Sequence, residues 1–102
     1  MLNKVTLMGR VANDLELKQT QNGISVVSFS VATKRNYKEN DEYQTDFFDA
    51  VAWRKTAEFV CNNFSKGKMI AIDGMLQTRK FTDKNGVERK VVEIVVDKAS
   101  YI

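Results

Sequence analysis

Aromatic residues beside cations are the most telling chemistry in this sequence. Tyr37 lies in Lys34-Arg35-Asn36-Tyr37-Lys38, Trp53 precedes Arg54-Lys55, and Phe81 follows Arg79-Lys80, while Phe47 stands six residues ahead of Trp53. A flat aromatic face stacks on a nucleobase whatever its identity, for about 1–3 kcal/mol per stack, and neighbouring Lys and Arg can follow the phosphates. The bland alternative is that such rings pack under loops or at a subunit contact.

Other chemistry is scarce. The 102 residues contain no histidine and one cysteine, Cys61, which excludes Ser-His-Asp and Cys-His nucleophile systems and zinc sites built on His or several Cys. Asp46, Asp49, Asp73 and Glu93 could be drawn together as Mg²⁺ ligands of a nuclease. A solvated face, or a salt bridge from Asp49 and Asp73 to Arg79, explains them more cheaply. Ser65-Lys66-Gly67-Lys68 lacks the glycine spacing of a phosphate loop. No catalysis, cofactor or metal is expected.

Net charge is +3, unevenly spread: residues 1–50 carry −1 and residues 51–102 carry +4. One basic side would suit an anionic polymer. No apolar run approaches the ~20 residues that span a bilayer. The N-terminus does not read as a signal peptide, and one cysteine cannot form an internal disulfide, so the cytoplasm is the expected compartment.

Period-two alternation must position these residues. It predicts strands over residues 5–11, continuing at 15–20, then 26–33, about 45–54, 70–77 and 87–97. Residues 34–43 are polar and read as a long loop. Gln21-Asn22-Gly23 and Asp83-Lys84-Asn85-Gly86 are turn signals. Ala57, Val60, Cys61 and Phe64 give the only helical stripe, with Gly67 as its stop. Three strands, a short helix and two strands in one domain over 1–102 predict an all-β OB-fold Greek-key barrel.

Strand parity assigns the faces. Phe48, Ala50 and Ala52 should face inward, leaving Phe47, Asp49, Val51 and Trp53 outside. Ile70, Ile72 and Leu76 should be core, so Asp73, Met75, Gln77, Arg79 and Phe81 face out. The expected stacking residues are therefore Tyr37, Phe47, Trp53 and Phe81. Expected phosphate contacts are Lys4, Arg10, Lys34, Arg35, Arg54, Lys55, Arg79, Lys80 and Lys84. Residues 34–44 and 82–87 are expected to move on binding, and residues 2–10 to pair edge-to-edge with another subunit.

The same residues carry a resemblance. Leu2-Asn3-Lys4-Val5 leads to Gly9-Arg10, and Asp14-Leu15-Glu16-Leu17 precedes Asn22-Gly23 and Phe29-Ser30-Val31-Ala32-Thr33. Trp53-Arg54-Lys55-Thr56-Ala57-Glu58, Lys66-Gly67 and Asp73-Gly74-Met75-Leu76-Gln77-Thr78-Arg79 follow. In this order and spacing the chain resembles, over nearly its whole length, the DNA-binding domain of bacterial single-stranded DNA-binding proteins. The resemblance implies a homotetramer, or else a dimer, that coats single-stranded DNA without sequence preference during replication, recombination and repair. It places the stacking aromatics on the same four residues; the family often has tryptophan at several of them, and here only Trp53 is one. Location would be the bacterial nucleoid, or a host cytoplasm if plasmid- or phage-encoded. Replication and repair proteins are expected partners only through an acidic tail beyond this chain. The competing expectation is an OB-fold protein-interaction module of the primosomal type, whose outer aromatics meet a protein.

Overall fold

Val27, Phe29 and Val31 alternate with Ser28 and Ser30, a pattern with one greasy and one wet face that can only be satisfied by a half-buried strand. In the computed structural model, which describes all 102 residues, these three side chains are buried. They lie on β3 (Ser25–Glu39), one of six strands: β1 (Val5–Val11), β2 (Lys18–Gln19), β3, β4 (Glu42–Trp53), β5 (Met69–Thr82) and β6 (Glu88–Ser100). A single helix, α1 (Arg54–Asn63), separates β4 from β5.

The sheet runs β1-β5-β6-β4-β3-β2 and closes on itself through β1 and β3, at Arg10↔Ala32 and Val11↔Val31. Setting aside the two-residue β2, five strands form the barrel, with the helix where the OB layout expects it. Ile70, Ile72, Val11, Val27 and Val31 are almost wholly buried within a cluster of 14 core residues. Ala57, Val60 and Phe64 join the same cluster, so α1 seals one end of the barrel. Tyr101 stacks on Phe64 at 5.3 Å between ring centres and its hydroxyl meets Asn63, fastening the end of the chain to the helix. That helix is too short and too polar to cross a membrane.

Several sequence expectations are corrected. Residues 34–43 are not a loop, because β3 and β4 continue through them to a two-residue turn at Asn40-Asp41. Both turn residues have left-handed φ, 52° and 63°, as a tight hairpin requires. This arm leaves the barrel, so both its faces are wet and no apolar alternation marks it. The strand expected over 15–20 shrinks to Lys18–Gln19. The helix starts at Arg54, and its end is set by Phe64, whose backbone N–H reaches the Val60 carbonyl. Gly67 instead shapes the following turn, donating to the Val11 carbonyl at 2.8 Å.

Three parity assignments also change. Leu76 is 48% exposed and Phe48 is exposed too: they pair with the core residues Ile94 and Val31, but at the barrel rim, where β4 and β6 stop pairing. Val51 has the outer parity but is only 5% exposed, flanked by Ser28 and Val95 where three strands meet.

Candidate nucleic-acid interface

The antiparallel register of β3 and β4 defines the outer face. Trp53 pairs with Val26, Val51 with Ser28, Asp49 with Ser30, Phe47 with Ala32 and Thr45 with Lys34. The β3 partners are small or flexible, so the β4 aromatics stand clear; Phe47 is 65% exposed. The register then shifts: from Lys34 to Lys38 is four steps on β3 but two on β4. Two extra residues preserve parity, so Tyr43, opposite Lys38, falls on the same face as Phe47 and Trp53. These three rings span about 33 Å of β4 at about 3.3 Å per residue.

Tyr43 was missed at the sequence level because its segment looked like a loop. The signal was present: Tyr43, Phe47 and Trp53 share odd parity, and Asn40-Asp41 is a turn pair. Arg10 joins this face as well, through Arg10↔Ala32 and Ala32↔Phe47, with its Nη1 donating to the Gly67 carbonyl at 3.0 Å.

A second arm is the β5–β6 hairpin, paired without interruption from Gly74↔Val96 to Thr82↔Glu88. It meets β4 only through Ala50↔Ile94 and Val51↔Val95, after which the two arms separate. The groove between them is lined by Ser28, Ser30, Asp49, Arg79, Val91 and Glu93. Arg79 lies over the Phe81 ring at 5.6 Å and pairs with Glu93 at 3.4 Å. The expected bridge from Asp49 and Asp73 to Arg79 is therefore replaced: Asp49 accepts from Ser30 Oγ and Asp73 from Thr6 Oγ1. Lys80 faces Glu88 at 3.5 Å, and Lys84 occupies the hairpin turn.

Trp53, Arg54 and Lys55 stand together at the entry to α1, where Arg54 has φ of 59°. Lys4 is exposed ahead of β1, next to Asn3, whose side-chain amide bonds the Leu76 backbone N–H and carbonyl at the base of the β5–β6 arm.

Arg35 is engaged. Its Nε and Nη2 donate to the two carboxylate oxygens of Asp46 at 2.9 and 3.0 Å, and its Nη1 reaches Glu39 at 3.4 Å. Such a bidentate fork fixes geometry as well as charge. Here it ties the extra residues of β3 to β4, with the Tyr37 ring 6.0 Å from the guanidinium. Asp83 does similar work on the other arm, accepting from the Asn85 and Val87 amides and from Arg89 Nε at 2.9 Å.

The hydrogen bond from Arg35 holds the Asp46 carboxyl below its ordinary range, and that from Arg89, helped by the Val87 and Asn85 amides, does the same for Asp83. A lowered folded-state pKa stabilises above the ordinary carboxylate range and is lost as pH falls through the lowered value. Both arms should therefore loosen in acid before the barrel does. Protection factors of the amides near Asp46 and Asp83, corrected for the slowing of intrinsic exchange in acid, are expected to fall between about pH 5 and pH 2, while those of Ile70 and Ile72 hold. Equal protection of the arms across that range would refute the pinning role.

Comparison with known proteins follows the fold. The chain is 40% identical over its full length to the single-stranded DNA-binding protein of Caldanaerobacter subterraneus subsp. tengcongensis, spanning 69% of that protein. It is 38% identical, again over its full length, to single-stranded DNA-binding protein 2 of Listeria monocytogenes, spanning 64% of it. Against single-stranded DNA-binding protein 3 of Clostridium acetobutylicum, identity is 40% over 99% of this chain and 71% of the relative. Residues 2–102 match the Single-strand binding protein family, and with a barrel of the OB layout under that match, the chain belongs to this family.

Proposed function

We propose that this protein binds single-stranded DNA without sequence preference, stacking bases on Phe47, Trp53, Phe81 and Tyr37 and neutralising phosphates with the surrounding cations. The observation that carries this reading is the outer face of β3 and β4, where Phe47 and Trp53 stand exposed beside small or cationic partners; Tyr37 lies beside Arg35 and Asp46, on the side of the arm opposite Phe47. The names of the relatives, single-stranded DNA-binding proteins, support the same ligand. Arg10, Lys34, Arg54, Lys55, Arg79, Lys80 and Lys84 border this face or its two arms and supply phosphate contacts, with Lys4 at the base of the β5–β6 arm. Arg35 contributes through Asp46, by fixing the segment that presents Tyr37.

The role is protection of single strands during replication, recombination and repair in the cytoplasm, by a homotetramer and without catalysis. Self-association is supported by the edge of β1: only Arg10 and Val11 pair with β3, leaving the edge from Val5 to Leu7 open on that side.

Titration of Trp53 fluorescence with oligothymidine tests the reading. Deep quenching is expected with the single strand and little with duplex, with log K falling against log salt by roughly 0.7 per phosphate contacted. A second reading, a protein-interaction module, draws on Phe48, Leu76 and Val92, exposed apolar residues on the arms. Absence of quenching, or an equal response to duplex, would favour it.

A further inference from the structure

Lys38 lies directly opposite Tyr43 on the outer face, and Lys34, opposite Thr45, lies diagonal to it on the same face. Lys34 Nζ lies 4.8 Å and Lys38 Nζ 5.2 Å from the centre of the Tyr43 ring. Both distances fall within the ~6 Å reach of a cation–π contact.

Neither ammonium is paired with a carboxylate, although acids are close by. Asp46 and Glu39 are taken by Arg35, which leaves two like charges beside one ring with no counter-charge of their own. An anion between them would relieve their repulsion and lose little to competition. Tyr43 is also the last aromatic of the β4 row, four residues beyond Phe47. Past it, the hairpin tip carries Glu39, Asp41 and Glu42, a run that repels phosphate.

We propose that Lys34, Tyr43 and Lys38 form a phosphate clamp that ends the nucleic-acid track on this arm. Tyr43 seats both ammonium groups, the two close on one backbone phosphate, and the acidic tip turns the strand away. The clamp rests on the single-strand-binding reading above and adds to it a site outside the four aromatics of that reading.

The test is oligothymidine binding across a salt series, with folding of each variant checked by circular dichroism. Lys34→Gln with Lys38→Gln removes two charges, so the slope of log K against log salt should flatten by about 1.4. Binding should then be about fiftyfold weaker near 50 mM salt, the difference closing as salt approaches about 1 M. Tyr43→Leu keeps both charges but removes their seat and should weaken binding about fivefold, consistent with lost cation–π contacts at an exposed site. Tyr43→Phe should stay within about twofold of wild type, since the ring and not the hydroxyl holds the lysines.

Tight binding by the wild type with an unchanged slope in the double lysine variant would overturn the clamp and leave the binding reading standing. Equal losses in Tyr43→Phe and Tyr43→Leu would overturn the seating role. No binding by the wild type would overturn the underlying reading and the clamp with it.

Discussion

Alanine at Phe47 is expected to weaken oligothymidine binding by about ten- to a hundredfold while leaving the melting temperature within a few degrees of wild type. The asymmetry comes from where the ring stands. Phe47 is 65% exposed and faces Ala32 across the ladder, so the folded protein gains little from it. A base laid on that ring gains a stack of roughly 1–3 kcal/mol, and each 1.4 kcal/mol is a factor of ten in the dissociation constant. Phe47→Leu should recover only part of the loss, because it restores apolar area without a π-face. Phe47→Trp should bind at least as tightly as wild type. Phe48→Ala is the internal control: the neighbouring ring has the opposite parity and should leave affinity unchanged. Anisotropy of a labelled oligonucleotide reads all four variants. Equal losses at Phe47 and Phe48, or none at Phe47, would show that bases do not lie along the outer face of β4.

That the two rings can be separated at all follows from parity, and parity was legible where a strand crosses the barrel. Val27, Phe29, Val31, Ala50, Ala52, Ile70 and Ile72 are buried as alternation predicts, because one face of each segment meets the core. Alternation fails where that condition fails. Leu76 and Phe48 keep the inner parity and pair with core Ile94 and Val31, but they stand at the rim, where the arms diverge and only one side is covered. Residues 34–43 form strands held by backbone pairing and by Arg35–Asp46 rather than by burial, so their sequence has no apolar signature. A local rule about hydrophobicity cannot register an arm that is wet on both sides.

The site was legible in its residue types and less so in its connections. Phe47 and Trp53 lie on one face as parity requires, and Phe81 lies beside Arg79. The engagement of Arg35 by Asp46 joins residues eleven apart in sequence across the hairpin. The gathering of Lys34 and Lys38 on Tyr43 likewise requires that β3 and β4 pair through residues 34–43. No spacing rule announces that pairing in a segment that reads as a loop. A smaller irregularity on β6 did leave a trace: buried Ile94 and Val96 are two apart, whereas Val96 and Ala99 are three apart. That break in period marks a bulge, since Asp73 pairs with Lys98 while its neighbour Gly74 pairs with Val96, leaving Asp97 outside the ladder.

Gly74 sits at this bulge, and Gly74→Ala is expected to cause a large loss of stability. A Cβ there would collide with the Val95 carbonyl oxygen, and would come within 3.0 Å of the carbonyl carbon and 3.1 Å of Ile94 Cγ2. The obstacle is mainly backbone of the paired strand, which no rotamer change can clear. Either β5 and β6 part locally or the bulge shifts, and Ile94 and Val96 move with it from the core. Overpacking of this kind costs about 3 kcal/mol, which in a domain of this size lowers the melting temperature by roughly 12–24 °C. Gly86 provides the contrast: its φ of 77° disfavours alanine, but a Cβ would meet nothing within 4 Å, so Gly86→Ala should cost only about 1 kcal/mol. Thermal unfolding of both variants decides the matter, and a drop of less than about 4 °C for Gly74→Ala would mean that the strands separate at no real cost. The expected large drop would have a functional corollary. β5 leaves the barrel at Gly74 to build the arm that carries Arg79 and Phe81, so a Cβ at one glycine should reduce single-strand affinity even at temperatures where the barrel remains folded.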